Sequence, residues 1–222
     1  MAVLTLNSAP VLAATITMPG VGLWVASVEV ATTTAPTGRV AITPETGAAW
    51  SGTVLEGGVH GQTWRGRIVG GAGGLRDELP ATSYRVATLQ DVLADVLRES
   101  GETLASGTSL AAWAVALYVR QRRTAARTVA DVARAAGVPW RVTRAGDVRV
   151  VDEAWAAYAL ADVTVVAEAP DRRRHELAGA VLGIDPGVAL TLPLEAGPAS
   201  VRVESVVHHV EGDVVTATVW AP

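Results

Sequence analysis

The chain has no cysteine, no lysine and no phenylalanine, and only two methionines. Without cysteine, disulfide staples and thiolate metal sites are excluded. All eighteen basic residues are arginine, a bias that reads as base composition of the coding DNA and carries no functional inference. A positive excess is missing as well. The formal net charge is −4, so no global basic field argues for nucleic acid or an anionic membrane. No apolar run reaches the roughly eighteen residues that a membrane-spanning helix needs. The apolar start, MAVLTLNSAPVLAATITMPG, lacks the positive n-region of a signal peptide. It reads as strand, and the protein as one made in the cytoplasm.

What is present is ample apolar material: half of the 222 residues, enough for one large domain or two to three small ones. The clearest unit runs from Thr124 to Val151. Thr124 or Thr128 can cap a helix whose Val129, Val132, Ala133 and Ala136 recur at three- and four-residue spacing on one face. Gly137 sits where a helix ends in a left-handed residue, and Pro139 forbids continuation. Trp140 and Val142, then Val148 and Val150, follow as two alternating strands joined by the turn Ala145-Gly146-Asp147. A second helix is predicted from Thr88 as cap to Gly101 as stop, with Leu89, Val92, Leu93, Val96 and Leu97 as its apolar stripe. The run Leu110 to Val119 fits either strand or helix.

The ends read as β. Residues 1–75 contain several short strands with Gly/Pro punctuation, including Val11 to Met18, GLWVASVEV, Trp50 to Glu56 and Thr63 to Val69. The glycine-rich EGGVHGQ is read as the loop between the last two. From Trp155 onward strand patterns return, with Ala161 to Ala167 alternating weakly. The closing stretch ASVRVESVVHHVEGDVVTATVWAP is a hairpin turning at Glu211-Gly212-Asp213. The expected fold class is therefore mainly β with an α/β insertion. Residues 1–81 form an N-terminal β-barrel-like domain, 82–151 a helix-plus-hairpin module, and 152–222 a C-terminal β-barrel-like segment that can pack with 1–81.

No candidate site is supported by its spacing, so no catalytic, cofactor-binding or metal residue is assigned. The glycine cluster 69–75 (VGGAGGL) has neither Gly-x-Gly-x-x-Gly nor a Gly-Lys-Ser/Thr pattern, and reads as a turn with positive φ or close backbone approach. Of His60, His175, His208 and His209, the adjacent pair must point to opposite faces of a strand and cannot share a metal. Asp77-Glu78 and Asp152-Glu153 are sequence neighbours, a pattern of solvated carboxylates and not of an acid/base pair. The runs Arg120-Arg122-Arg123-Arg127 and Arg172-Arg173-Arg174 read as solvated faces, with acidic protein as the favoured contact over phosphate. Trp50 and Trp64, placed near loops, are candidates for exposed stacking platforms. No Gly-x-Ser-x-Gly elbow is present. The chain is expected not to be an enzyme and to need no cofactor.

Taken in order, RIVGGAGGL, ATSYRVATLQDVLADVLRESGE, TVADVARAAGVPWRVTRAGDVRV and VRVESVVHHVEGDVVTATV resemble phage tail baseplate hub proteins of the late-control-D type. That family is shared with contractile injection systems and gene transfer agents. The resemblance covers most of the chain, through motifs that are structural. The best are AGVPWRVTRAGDVRV and the closing hairpin with Ser205, Val206 and His208. It implies a structural virion protein of the tail baseplate, a homotrimer whose barrels form a ring joining the tail tube to the central spike. The implied partners are the tail tube protein, the spike and other baseplate proteins, with no nucleic acid contact required and no membrane span. A pseudo-sixfold ring needs two similar barrels per chain, yet WVASVEV and VRVESVV form no clear repeat. The alternatives are a carbohydrate- or protein-binding β module using Trp50 and Trp64, and a tail-associated cell-wall hydrolase using Asp152 or Glu153.

Overall fold

The computed structural model describes residues 3–159, 162–169, 171 and 173–222. Six strands open the chain: β1 (Leu4–Leu6), β2 (Ala9–Met18), β3 (Val25–Val30), β4 (Arg39–Pro44), β5 (Trp50–His60) and β6 (Thr63–Gly70). They pair in the order β1-β4-β5-β6-β3-β2, and β2 returns to β1 through Thr5↔Pro10 and Leu6↔Ala9, which closes a barrel. Alternation supplies its inside: Leu4, Leu6, Ile16, Ile42, Trp50, Trp64 and Ile68 are buried.

Strand β5 runs to His60, through the glycines read above as a loop. The reason is packing across the barrel. A Cβ on Gly57 or Gly66 would overlap the indole of Trp64, and one on Gly52 or Gly70 would overlap Trp24. These glycines let large rings lie directly on the backbone, a strand use of glycine that composition alone reads as turn. This packing buries Trp64, and Trp50 is buried as well, beside Met18, so neither is the exposed platform expected from the sequence.

The middle of the chain sits beside this barrel. A short 3₁₀ turn (Gly74–Arg76) leads to β7 (Glu78–Leu79), β8 (Thr82–Thr88) and α1 (Leu89–Ser100). Then come β9 (Ala114–Arg120), β10 (Arg123–Thr124), α2 (Ala125–Ala136), β11 (Trp140–Val142) and β12 (Val148–Val150). Helix α1 begins with a full capping box, Thr88 Oγ1 accepting from Asp91 N while the Asp91 carboxylate accepts from Thr88 N. It ends at Gly101 in the left-handed region. The stripe Leu89, Val92, Leu93, Val96 and Leu97 is wholly buried, worth on the order of 1.5–3 kcal/mol per side chain. Helix α2 is preceded by Thr124, whose hydroxyl makes no cap bond, and it stops at Gly137. Its buried Val129, Val132, Ala133 and Ala136 pack towards α1. The ambiguous run after Leu110 is strand: β9 pairs antiparallel with β8 in a two-stranded ribbon.

The last third adds β13 (Ala156–Tyr158), β14 (Val163–Ala169), β15 (Arg174–Gly179), β16 (Val188–Leu194), β17 (Gly197–Arg202), β18 (Ser205–Glu211) and β19 (Val214–Trp220). Strand β18 pairs with β2 from Val206↔Met18 to Glu211↔Ala13, and the order continues β18-β19-β15-β14. The barrel wall therefore extends into a ten-stranded sheet whose last member, β14, ends it. Strands β13, β16 and β17 form a separate three-stranded sheet that buries Leu190, Leu192 and Val201 against the common core. Of the alternating stretch Ala161 to Ala167, Ala161 lies outside the described residues, as does Arg172 of the second arginine run.

Candidate functional site

The residues with unusual environments gather where three parts of the chain meet. The β11–β12 hairpin lies on the rim of the barrel. Gly22 N donates to Trp140 O and Val142 N to Gly22 O, both at 2.9 Å, while Trp24 Nε1 donates to Thr143 O at 3.0 Å. Ser51 N donates to Arg144 O at 2.8 Å. Gly146, at φ 90°, allows the turn to touch Ser51; a Cβ there would stand 2.8 Å from Ser51 O.

From this turn the buried Arg144 side chain bridges barrel and C-terminal strands. Its Nε and Nη2 donate to Asp185 at 3.0 and 2.6 Å, Nη2 also reaches Ile184 O at 3.4 Å, and Nη1 reaches Ala48 O at 3.3 Å. The guanidinium lies 4.0 Å from the centroid of Trp50, a cation–π contact. Trp50 in turn meets His208 edge-on at 5.7 Å, and its Nε1 donates to Met18 Sδ at 3.2 Å. His208 is fully buried on β18 with Nε2 3.1 Å from Ile184 O. A carbonyl can only accept, so Nε2 carries the proton and Nδ1 is left bare, without a partner among the described residues. Burial pushes the His208 pKa down to about 3, and the Arg144 charge pushes the same way. His208 is thus a neutral wedge in a packed joint, while its neighbour His209 points out and contacts Thr15 Oγ1 at 3.4 Å.

A second ion pair closes the same region. Arg141 of β11 binds Glu153, and Arg149 lies 3.7 Å from the other oxygen of that carboxylate. A Cβ on Gly187 would overlap Glu153, so glycine is needed for the carboxylate to enter. Of the candidate pair Asp152-Glu153, only Glu153 is drawn inward, and two arginines hold it. It is placed as a tether, in a small cleft that Glu204 also lines.

The glycine cluster does hold an anion, and it is the chain's own. Glu102, just past α1, accepts from Ala72 N at 2.8 Å and Leu75 N at 3.2 Å. Gly71 and Gly73 take φ 87° and 95°, and a Cβ on Gly71 would stand 2.6 Å from the Glu102 carboxylate. Backbone N–H groups that in another loop would cradle phosphate are here filled from within. Gly74 touches the backbone of Ser100, where a Cβ would overlap the carbonyl.

The first arginine run divides. Arg120, read above as solvated, is fully buried: Nε donates to Pro80 O at 3.0 Å, and Nη2 to Thr82 Oγ1 at 3.0 Å and Glu99 at 2.7 Å. It ends β9 beneath α1, and that is why it is inside. Nearby, Tyr84 donates to Asp95 at 2.6 Å. Burial, then this bond, pushes the Tyr84 phenol up, and the same bond holds the Asp95 carboxyl below its usual value. Arg122 pairs with Glu78 at 3.0 Å on the surface, and Arg123 with Asp131. Arg174 pairs with Glu176. Among the described residues no three His, Cys, Asp or Glu side chains converge as metal ligands. The open trough over β2, β3, β5, β6 and β18 carries His60 and His209, the surface pairs Arg65–Glu29 at 3.0 Å and Arg67–Glu56 at 3.5 Å, and Glu211, which has no ion-pair partner among the described residues.

No protein-family model and no curated protein matches the sequence. Solved structures do match the fold. A component of the Escherichia coli type VI secretion system, described as similar to the T4 bacteriophage tail proteins gp27 and gp5, aligns over 99% of this chain and 76% of its own, with TM-score 0.69 and 11% identity. The 43 kDa tail protein of prophage MuSo2 from Shewanella oneidensis aligns over 97% and 96%, with TM-score 0.71 and 10% identity. A tail protein from Neisseria meningitidis MC58 aligns over 98% and 95%, with TM-score 0.68 and 9% identity. The chain has the fold of phage tail and type VI secretion proteins.

Proposed function

We propose that this chain is a structural hub protein at the distal end of a phage-type tail, of the late-control-D kind, which joins the tail tube to a central spike. The observation that carries the reading is fold agreement over nearly the whole chain with tail proteins that differ from it at about nine positions in ten. The architecture suits the role. A closed barrel fused to a free-ended sheet is an awkward monomer, because strand β14 offers unpaired backbone groups and an exposed Val166. Copies set side by side around an axis would cover such edges. The rim joint suits it too: ion pairs of Arg144 and Glu153, and the Glu102 carboxylate on backbone N–H groups, tie the barrel, the middle module and the C-terminal strands to each other, as a part under mechanical load requires. In this reading the working state is a homotrimer in the virion baseplate, partnered by tube and spike proteins, and it performs no catalysis. Glu153, engaged by Arg141 and Arg149, serves as a tether.

The test is the solution mass of the purified chain by light scattering, alone and with the tube and spike proteins of its own particle. A three-copy assembly, alone or on those partners, supports the hub. A chain that stays monomeric and binds neither partner contradicts it.

A further inference from the structure

Charge is divided unevenly between the parts of this chain. Residues 82–151 hold ten arginines and six carboxylates, a net of +4, whereas the remainder holds eight arginines and sixteen carboxylates, a net of −8. Exposed apolar residues stand in both parts, Val86, Trp113, Leu117 and Val119 in the first and Leu12 and Val214 in the second.

On the basic side lies the β8–β9 ribbon. Its inner face sets Tyr84 and Tyr118 edge-on at 6.1 Å, with Tyr84 bonded to Asp95 of α1. Its outer face pairs Ser83 with Val119 and Arg85 with Leu117. Leu117 and Val119 are each 58% exposed, Trp113 just before β9 is exposed, and Val86 is 93% exposed. Val86 also sits at φ 48°, a region β-branched residues avoid, so an apolar side chain is held out in water at a conformational cost. Arg85, at the centre of this face, has no ion-pair partner among the described residues.

The opposite composition stands on the β18–β19 hairpin tip. Val214 is 66% exposed, flanked by Glu211 and Asp213, which have no ion-pair partner among the described residues. Leu12, also exposed, is joined to the tip by Gly212 N donating to Leu12 O at 2.9 Å. The two patches lie on different elements, and each carries what the other lacks: a protruding apolar group with unpaired positive charge, and one with unpaired negative charge.

We infer that these patches bind each other between copies, the β8–β9 ribbon of one chain receiving the β18–β19 tip of the next. Because the two surfaces differ, the contact is head-to-tail, and it closes into a ring or propagates as a stack. Opposite charges at its rim set the register and speed encounter, while Leu117, Val119 and Val214 supply the apolar centre. This deepens the ring reading above by naming the surfaces through which copies meet, and it rests on that reading for closure at three.

Charge reversal tests the pairing. Arg85→Glu alone, and Glu211→Arg with Asp213→Arg, are each expected to abolish concentration-dependent assembly in sedimentation velocity. Combining all three reversals in one chain is expected to restore it. All three positions are exposed, and an unchanged thermal melt would verify folding. Wild-type protein that assembles while every variant assembles equally well overturns this contact but leaves the hub reading standing. Loss in the single reversals without recovery in the combination also overturns it. A wild-type chain monomeric at every concentration overturns it as well; the hub then stands or falls on binding to tube and spike.

Discussion

His208 offers the sharpest quantitative test of the rim joint. In the folded chain it is neutral, with a pKa pushed down to about 3, whereas in the unfolded chain it titrates near 6.5. The sign follows from proton counts. Between these values the unfolded state binds a proton that the folded state refuses, so acid favours unfolding. The stability that a neutral His208 contributes is fully present above about 6.5, falls as pH drops through that value, and is exhausted near 3. Each pH unit in the window removes about 1.4 kcal/mol, for a total on the order of 5 kcal/mol. Carboxylates add their own acid dependence, notably Asp95, whose bond from Tyr84 holds its pKa below the usual value. A difference measurement therefore isolates the histidine. His208→Gln keeps a donor for Ile184 O and cannot be protonated. Urea unfolding of both proteins at half-unit steps from pH 7 to pH 4 should show the wild type losing stability faster, by about 1.4 kcal/mol per unit. Parallel curves would mean that His208 titrates normally, and that the Arg144–Trp50–His208 joint is open to water.

Four further outcomes follow from the same contacts. Arg144→Met should destabilise by about 3–5 kcal/mol in denaturant unfolding, because it strips Asp185 and two carbonyls of their donor inside the joint. The same change removes a positive neighbour, so the histidine's NMR-titrated pKa should rise from about 3. Glu102→Gln should cost about 1.5–3 kcal/mol, since an amide offers one weaker acceptor where the carboxylate serves Ala72 N and Leu75 N. Gly74→Ala should lower stability by at least about 1–3 kcal/mol through overlap with Ser100 O, visible as a lower melting temperature.

How much of this was legible in the sequence depended on the range of the forces. Local rules serve well: Thr88 ahead of the apolar stripe marks a helix start, Gly101 and Gly137 mark stops, and the 3.6-residue stripe of α1 is the face that is buried. Opposite facing of His208 and His209 follows from strand alternation alone. What failed was non-local. Nothing near Trp64 says that Gly57 and Gly66 make room for its ring, so EGGVHGQ looked like a loop and the tryptophan like an exposed one. Arg120 sits in a basic run and looks solvated; only α1, folded across it, supplies Glu99 and the burial. The pairing of β18 with β2 joins residues nearly the whole chain apart, beyond the reach of any periodicity argument. The glycine cluster is legible as a place of positive φ and close approach. The anion it holds could not be read, because Glu102 lies 27 and 30 residues away from its two donors.

The most direct test of the hub assignment is electron cryomicroscopy of the tail particle that contains this chain. The account predicts density at the distal end of the tube, between tube and spike, into which three copies of the six-stranded barrel with its sheet extension fit around one axis. Density for the chain anywhere else on the particle, or in a single copy off the axis, would contradict it.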